Sequence, residues 1–309
     1  MSAIDYEPVW NKSRAFVRRA LAARDDGQFE DFCFWCAVSL EMLGKAMLAQ
    51  IHPALIADPQ DVDSMFLACG KTLTSKPRTI AAKTVFLRLA KLSSHIDKTD
   101  VDFCTLMMER RNADLHSGAL PYEGLNADTW APRFWRVAEL MLAVNQLNLE
   151  AWIDAAEAAR AQDLIRAAAT VRQQAVDARL ERSRALFDGK YQTPEAIINI
   201  RAQARHGRLV HPTDFGLYAA DLLVQEECPA CRCDGLLSAD NMGEEHEGEV
   251  DWESGLFTVT VHYASLAFRC AVCKLKLDGQ EEMEHAQLTL EFDEEEQREA
   301  EYDDPYMDE

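Results

Sequence analysis

The sequence is short of the features that direct a protein to membranes or to the cell exterior. No apolar run approaches the ~18 residues that a membrane-spanning helix needs. The first residues, Met1–Glu7, lack the basic and then apolar order of a signal peptide. These absences predict a cytoplasmic protein with no membrane partner. In that compartment the nine cysteines are expected to be thiols or metal ligands rather than a disulfide framework.

Positive charge is also scarce, with 32 basic residues against 53 acidic ones and a net charge of −21. The excess is local, because residues 226–309 contain 25 acidic and 5 basic residues, whereas residues 1–150 contain 19 and 17. A local basic cleft can therefore exist in the N-terminal half without a general attraction to polyanions. The composition argues against a non-specific nucleic-acid binder.

The length of 309 residues and the shifts in composition predict about two domains with ample core. We divide the chain into a helical domain (1–150), a helical linker or middle region (151–225), a β-rich domain (226–290) and an acidic tail (291–309). Residues 149–188 contain no proline or glycine, which predicts one long helix or a helical hairpin. The fold class is therefore mainly α with a small C-terminal β-rich module.

Residues 1–150 are predicted to form four to five antiparallel helices. Phe29–Ile51 has apolar residues at helical spacing and no proline. Further helices are predicted near 61–71, 78–92, 99–118 and 130–149.

A polar hexapeptide, Arg111–His116 with the sequence RNADLH, closes the fourth of these helices. A guanidinium can grip a phosphodiester in a bidentate manner and stays charged. An imidazole can exchange protons near neutral pH. However, Arg111 and His116 lie about 140° apart on an ideal helix. The alternative is that Arg111 pairs with Asp114 or Glu109 on a solvated surface, and that His116 benefits only from its place near the helix end.

The hexapeptide resembles the R-x4-H signature of HEPN-domain ribonucleases, including the polar residue that often follows the arginine. The segment Ser39–Ala46 (SLEMLGKA) is similar to the pattern of the helix that packs beside the HEPN active site. This resemblance, which covers about half of the chain, implies a HEPN-like antiparallel bundle and a homodimer with a shared cleft. It also implies metal-independent RNA cleavage to 2′,3′-cyclic phosphate and 5′-hydroxyl ends. Arg111 would stabilise the phosphorane, His116 would transfer protons, and Asn112 would orient the phosphate or the imidazole.

HEPN nucleases commonly act as prokaryotic toxins or anti-phage effectors. The resemblance therefore implies an RNA substrate, a role in antiviral defence by abortive infection, and an antitoxin or phage-derived trigger as a further partner. A second R-x4-H pair, Arg201 and His206, has no asparagine after its arginine and lies in a basic run. We expect no catalytic role for this second pair.

Two C-x-x-C pairs lie in the β-rich region and are separated by 38 residues. Their members are Cys228, Cys231, Cys270 and Cys273. Each turn presents two thiolates on one side, and two facing turns build a tetrahedral zinc site. The pattern resembles a zinc ribbon, although Arg232 and Lys274 stand where that family usually has glycine. We predict structural Zn²⁺ on these four cysteines, with no part in catalysis and with Cys233 as a competing ligand.

Two strand-like runs lie in the C-terminal region, at 256–263 and 287–292. Cys33 and Cys36 also form a C-x-x-C pair, but they lie in an apolar helix where thiols behave as small hydrophobic groups. We interpret Cys69 and Cys104 in the same way.

The acidic tail, residues 291–309, is predicted to be mobile and solvated. A sharper hypothesis is that it covers an RNA cleft as a phosphate mimic and restrains the nuclease. A different function class is a non-catalytic HEPN interaction module that docks partners through the zinc ribbon and the tail. A third, a regulator that binds nucleic acid through the ribbon, is disfavoured because phosphates would be repelled by residues 226–309.

Overall fold

The computed structural model of the protein describes residues 2–72, 76–205, 220–251 and 256–299. Within these ranges helices make up the N-terminal part, and a five-stranded antiparallel sheet lies near the C-terminus. The predicted mainly α class with a C-terminal β module is thereby confirmed. The chain forms two compact units, Met1–Val171 and Arg172–Glu309, which are described separately.

The first unit is helical. Its elements are α1 (Tyr6–Asp25), α2 (Phe29–Ile51), α3 (Val62–Ala68), α4 (Ala82–Leu92), α5 (Lys98–His116), α6 (Ala127–Ala143), α7 (Leu149–Trp152) and the start of α8 (Ala155–Lys190). The bounds of α2 agree with the prediction, and α3 to α6 correspond to the other predicted helices. Helix α1 was not predicted.

Helix α2 is the central element of the first unit and packs against α1, α4, α5 and α6. Contrary to the sequence-based expectation, it is long and apolar enough to cross a membrane, but 72% of its apolar window is buried inside the protein. A helix that is apolar on nearly all sides is typical of a core position. We therefore assign α2 to the hydrophobic core.

Helix α5 carries the RNADLH hexapeptide in its last turn and a half. It begins with a capping box, in which the Asp97 carboxylate accepts from the Asp100 backbone N–H and the Asp100 carboxylate accepts from that of Asp97. Asp100 is buried and pairs with Arg136 on α6. The start of α5 is thus anchored, whereas its last residue, His116, and the following Ser117 are exposed.

The second unit contains the rest of α8, two shorter helices and the sheet. Its further elements are β1 (Leu222–Glu227), β2 (Asp234–Asp251), β3 (Leu256–Arg269), β4 (Lys276–Asp278), β5 (Glu291–Glu299), α9 (Pro194–Ala204) and α10 (Gln280–His285). The strand order is β1-β2-β3-β4, all antiparallel, and β5 pairs with the first part of β3. The predicted long helix of the middle region is α8, and the boundary between the two units falls inside it.

The prediction that residues 291–309 form a mobile tail is wrong for Glu291–Glu299, which form β5. Its register runs from the pair Ala264 and Glu291 to the pair Leu256 and Glu299. The Phe292 ring stacks on Tyr263 with centroids 5.6 Å apart. Backbone pairing and this apolar contact therefore hold a segment whose charge suggested disorder. Residues 300–309 lie outside the described residues.

Candidate functional site

Two sequence patterns that are 70 residues apart meet in the helical unit. The Arg111 guanidinium, on α5, forms an ion pair with the Glu41 carboxylate on α2. It also donates two hydrogen bonds to Asn112 Oδ1, of 3.2 Å from Nε and 2.9 Å from Nη2. Arg111 therefore pairs with a carboxylate on another helix, and the alternative pairing with Asp114 or Glu109 is not what the structure has.

Glu41 is shared between two cations. Its other carboxylate oxygen accepts from Lys45 Nζ at 2.7 Å, one helical turn further along α2. The same ammonium group donates to Thr79 Oγ1 at 2.9 Å. Burial by itself would raise the pKa of Glu41, but the Lys45 and Arg111 charges outweigh it and lower that pKa below its usual value.

The group has an excess of positive charge. One carboxylate faces two cations, and the Arg111 side chain is 18% exposed while the Lys45 side chain is 9% exposed. The exposed part of the Arg111 side chain is therefore a suitable contact for an anionic group such as a phosphate. Asn112 and Glu41 hold this guanidinium in a defined orientation.

His116 is not part of this group. It is the last residue of α5 and is exposed. Among the described residues, no hydrogen bond joins its imidazole to Arg111 or Asn112. This agrees with the angular separation of about 140° expected on one helix, so a single α5 does not bring the proposed base and the proposed phosphate ligand together.

Tyr122, which follows α5 in the connection to α6, is a buried neighbour that no sequence pattern indicates. Its hydroxyl is buried and finds no hydrogen-bond partner among the described residues. Burial, and then the negative charge of Asp114, raise the pKa of this tyrosine above its usual range, while Arg111 acts in the opposite direction. Tyr122 therefore lies within electrostatic reach of the Arg111 group as a neutral phenol.

A separate candidate metal centre lies in the second unit. The four predicted ligands are brought together, and their sulfur atoms all lie within 4.8 Å of one another. The members are Cys228, Cys231, Cys270 and Cys273, all buried. The Sγ atoms of Cys228 and Cys273 are 3.5 Å apart, and those of Cys231 and Cys270 are 3.6 Å apart. Tetrahedral zinc with Zn–S bonds of ~2.3 Å requires sulfurs about 3.8 Å apart, so the cluster has suitable dimensions for a metal ion.

Both C-x-x-C turns are built in the same way. The Arg232 N–H donates to the Cys228 carbonyl at 2.9 Å, and the Lys274 N–H donates to the Cys270 carbonyl at 3.0 Å. Arg232 and Lys274 have φ angles of 59° and 64°. This left-handed conformation favours glycine, which explains why the zinc-ribbon pattern usually has glycine at these two positions. This chain adopts the same conformation with arginine and lysine.

The surroundings of the four cysteines fit a negatively charged centre. A divalent ion with four thiolates carries a net charge of −2, which a buried site must compensate. Arg184 donates to the Pro229 carbonyl at 3.3 Å, and Arg201 donates to the Cys231 carbonyl at 3.4 Å. The Arg201 Nε is buried without a hydrogen-bond partner in the described part of the chain. A partly buried guanidinium such as that of Arg201, which donates to the backbone of a cysteine turn, is expected beside an anionic metal–thiolate cluster. The four cysteines can therefore hold a metal ion.

The other cysteines have different environments. Cys233 is buried but lies outside the four-sulfur cluster, and its thiol faces the Cys231 carbonyl at 3.9 Å. Burial raises the pKa of Cys33 to about 12 and that of Cys36 and Cys104 well above the usual value, so these thiols remain protonated in the core. The interpretation of Cys69 as a buried thiol is wrong, because it is exposed at the end of α3.

Comparisons with known protein families, with curated proteins and with solved structures find no match to this chain. A function for the chain can therefore be inferred only from its own residues and their geometry. Sequence reasoning missed the contact between Glu41 and Arg111, the place of Lys45 and Thr79 around Glu41, and the buried Tyr122, although Glu41 and Lys45 are the charged members of the SLEMLGKA pattern. Of the second R-x4-H pair, Arg201 donates a hydrogen bond to the Cys231 carbonyl. His206 lies outside the described residues.

Proposed function

We propose that the protein is a metal-independent endoribonuclease of the HEPN type. The observation that carries the proposal is the contact between the SLEMLGKA helix and the RNADLH helix through Glu41 and Arg111. This contact holds a partly exposed guanidinium in a locally positive group, which suits a phosphodiester. A solvated surface arginine would not need a half-buried carboxylate, an amide and a second cation around it.

The proposed reaction needs no electron transfer and no external cofactor. The His116 imidazole takes the proton from a ribose 2′-hydroxyl, and the 2′-oxygen forms a bond to the adjacent phosphorus. The bond from phosphorus to the 5′-oxygen breaks, and that oxygen receives a proton from an imidazolium. The products are a 2′,3′-cyclic phosphate and a 5′-hydroxyl. Arg111 stabilises the extra charge on the phosphorane, and Asn112 keeps the guanidinium in place.

The arrangement of the active groups calls for a homodimer. Because Arg111 faces Glu41 while His116 is exposed at the end of the same helix, one protomer does not form a compact centre. In the proposed dimer, the two α5 ends meet so that the His116 of one protomer lies near the Arg111 of the other. The exposed side chains of Leu115 and Leu120, which are 56% and 64% exposed, provide apolar surface beside the hexapeptide for this contact.

For the second unit we propose a structural Zn²⁺ on the four clustered cysteines. Zinc prefers tetrahedral thiolate sites, and a site with four cysteine ligands leaves no position for substrate. When bound, the ion would cross-link the two C-x-x-C turns. We assign the metal no part in RNA cleavage.

The proposed biological role is that of a cytoplasmic toxin or anti-phage effector that arrests growth by cutting RNA. An antitoxin or a phage-derived trigger would then control it. The near-neutral charge of residues 1–150 (17 basic and 19 acidic residues) supports recognition of a particular RNA over general binding.

The test is cleavage of total RNA by the purified protein in EDTA, over a time too short to remove the zinc, with the new ends mapped by sequencing. Arg111→Ala and His116→Ala should each reduce the rate by at least about a hundredfold. Matched controls are Arg166→Ala, an exposed arginine paired with Asp163, and His95→Ala, an exposed histidine before α5; both should keep full activity. If the purified protein is folded but cleaves no RNA, the result would instead favour a non-catalytic HEPN interaction module.

A further inference from the structure

A second group of side chains in the helical unit has the composition of a nucleic-acid-binding surface. Between Lys12 and Arg19, helix α1 has four basic residues and no acidic one, with Phe16 among them. The half-buried rings of Phe16 and Trp35 stack with centroids 5.7 Å apart and planes at 24°. Phe34 meets Trp35 edge-on at 5.2 Å. We call Phe16, Phe34 and Trp35 the aromatic patch.

Exposed cations cover the aromatic patch. The Arg19 guanidinium lies 4.9 Å from the Trp35 ring centroid and 5.5 Å from that of Phe16, and Lys12 Nζ lies 5.8 Å from Phe16. Lys12, Phe16 and Arg19 are four and three residues apart in succession, so they share one face of α1. Aromatic surface and positive charge are therefore combined in one place.

Core packing accounts for only part of the patch, because Phe34 and Trp35 are partly buried against the hydrophobic core of the helical unit. Phe16 is not a member of the hydrophobic core of the helical unit or of its partly buried margin. The indole N–H groups of Trp130 and Trp152 donate to Met107 Sδ at 2.9 Å and to Ser13 Oγ at 3.0 Å. The indole N–H of Trp35 has no such acceptor among the described residues, so it is free to bind a ligand.

We propose that the aromatic patch, together with Lys12 and Arg19, binds single-stranded RNA beside the active site; this inference rests on the proposed nuclease function. Aromatic side chains stack on unpaired bases of any sequence, and neighbouring cations bind the phosphates between them. A cation–π contact at an exposed site is weaker than base–aromatic stacking. A base can therefore displace Arg19 from the Trp35 ring, and Arg19 then meets a phosphate.

The patch is placed to guide a strand to Arg111. Phe34 and Glu41 are seven residues apart on α2, which puts them on the same face and about 10 Å apart along the helix. Glu41 holds the Arg111 guanidinium. Trp35 is six residues from Glu41 and lies about 120° from it around α2, so an RNA strand stacked on Trp35 would reach the proposed phosphate ligand by way of Phe34. Duplex RNA would not bind in this way, because its base faces are covered by neighbouring base pairs.

The test measures binding without cleavage. His116→Ala protein is titrated into a fluorescently labelled single-stranded RNA of about ten nucleotides, and anisotropy gives the Kd at several salt concentrations. Adding Trp35→Ala should weaken binding by about tenfold or more, whereas Trp35→Phe should retain most of it. Arg19→Ala should weaken binding and lower the slope of log Kd against log salt by about one.

Matched controls separate the patch from general effects. Phe66→Ala removes an aromatic side chain that is 51% exposed on α3, and Arg18→Ala removes an exposed cation on a different face of α1; each should change the Kd less than twofold. Asp31→Asn, one turn before Trp35, should tighten binding.

Three outcomes would overturn the proposal. One is unchanged RNA affinity in Trp35→Ala and Arg19→Ala. Another is that duplex RNA of the same length competes for the protein as well as unlabelled single-stranded RNA does. The third is Trp35-dependent binding to phosphatidylglycerol vesicles without RNA binding, which would mark a membrane surface. If RNA binds through Trp35 but wild-type protein cuts no RNA, the nuclease proposal fails and the binding surface stands. If cleavage proceeds while Trp35→Ala leaves binding unchanged, only the patch proposal fails.

Discussion

Glu41 is the residue that gives the RNADLH hexapeptide a defined geometry. It joins α2 to α5 by accepting from Arg111, and it neutralises the buried Lys45 at the same time. Removing its charge would leave two cations facing each other with no carboxylate between them. Glu41 is therefore a positioning residue for Arg111, and its ionisation is coupled to folding.

We predict that Glu41→Gln lowers the free energy of unfolding by about 1–3 kcal/mol at pH 7, since it removes the charged partner of partly buried hydrogen bonds. The folded protein lowers the pKa of Glu41, so the carboxylate stabilises the fold fully above its unfolded pKa of ~4.3. This stabilisation is lost as the pH falls through the lower, folded pKa. Urea denaturation of both proteins from pH 7 to pH 3 should thus show a constant difference above about pH 5, which shrinks below about pH 4.

The control for Glu41→Gln is Glu109→Gln, which changes an exposed carboxylate on α5 and should be nearly neutral at every pH. A difference between wild type and Glu41→Gln that stays the same down to pH 3 would show that folding does not change the pKa of Glu41, which contradicts the prediction.

At the scale of elements, the crossing of α2 and α4 depends on a glycine in the middle of a helix. A Cβ added to Gly44 would lie 2.7 Å from Val85 Cγ1 and 3.2 Å from Leu89 Cδ1. Glycine is a poor helix residue, so its place between Glu41 and Lys45 reflects the close approach of α4. Thr79, which accepts the Lys45 hydrogen bond, lies three residues before the start of α4.

We predict that Gly44→Ala destabilises the helical unit by about 1–3 kcal/mol through overpacking, although alanine has the better helix propensity by about 1 kcal/mol. Gly189→Ala is the matched control, because Gly189 is in α8 with nothing within 4 Å of an added Cβ, and it should leave stability unchanged or raise it. Thermal unfolding followed by circular dichroism measures both. A Gly44→Ala protein more stable than wild type would mean that α2 and α4 are not packed this closely.

At the scale of the whole molecule, the two units differ in what stabilises them. The helical unit has one large apolar core centred on α2, whereas the apolar clusters of the second unit are smaller and include the four clustered cysteines. The dense negative charge of the C-terminal region adds repulsion to the sheet. A metal ion that cross-links β1–β2 to β3–β4 is therefore expected to matter most for the second unit.

We predict about one zinc ion per chain in freshly purified, reduced protein, and loss of that ion in Cys228→Ser and Cys270→Ser. A strong chelator should lower the unfolding temperature of the second unit and leave that of the helical unit in place, as two separate transitions in calorimetry. Cys33→Ala should keep the zinc. Protein without metal, or chelation that changes neither transition, would contradict a structural zinc site.

Features that depend on neighbouring residues could be predicted from the sequence alone. Helical periodicity without proline delimited Phe29–Ile51, and C-x-x-C spacing in a β-rich region distinguished the four clustered cysteines from the C-x-x-C pair in the apolar helix. The angle between Arg111 and His116 followed from helix geometry alone. In each case the relevant partners are within a few residues or follow a fixed repeat, so local rules are sufficient.

Which distant groups meet depends on how the helices and strands pack in three dimensions. The sequence offered Asp114 and Glu109 as partners for Arg111 because they are near in the chain, but helix packing brought Glu41 to it from 70 residues away. The charge of Glu291–Glu299 suggested a mobile tail, yet β3 supplies the hydrogen-bond partners that make it a strand. Phe16 and Trp35 stack because α1 lies against α2. Such contacts depend on how whole elements pack, and a single sequence shows no local pattern for them.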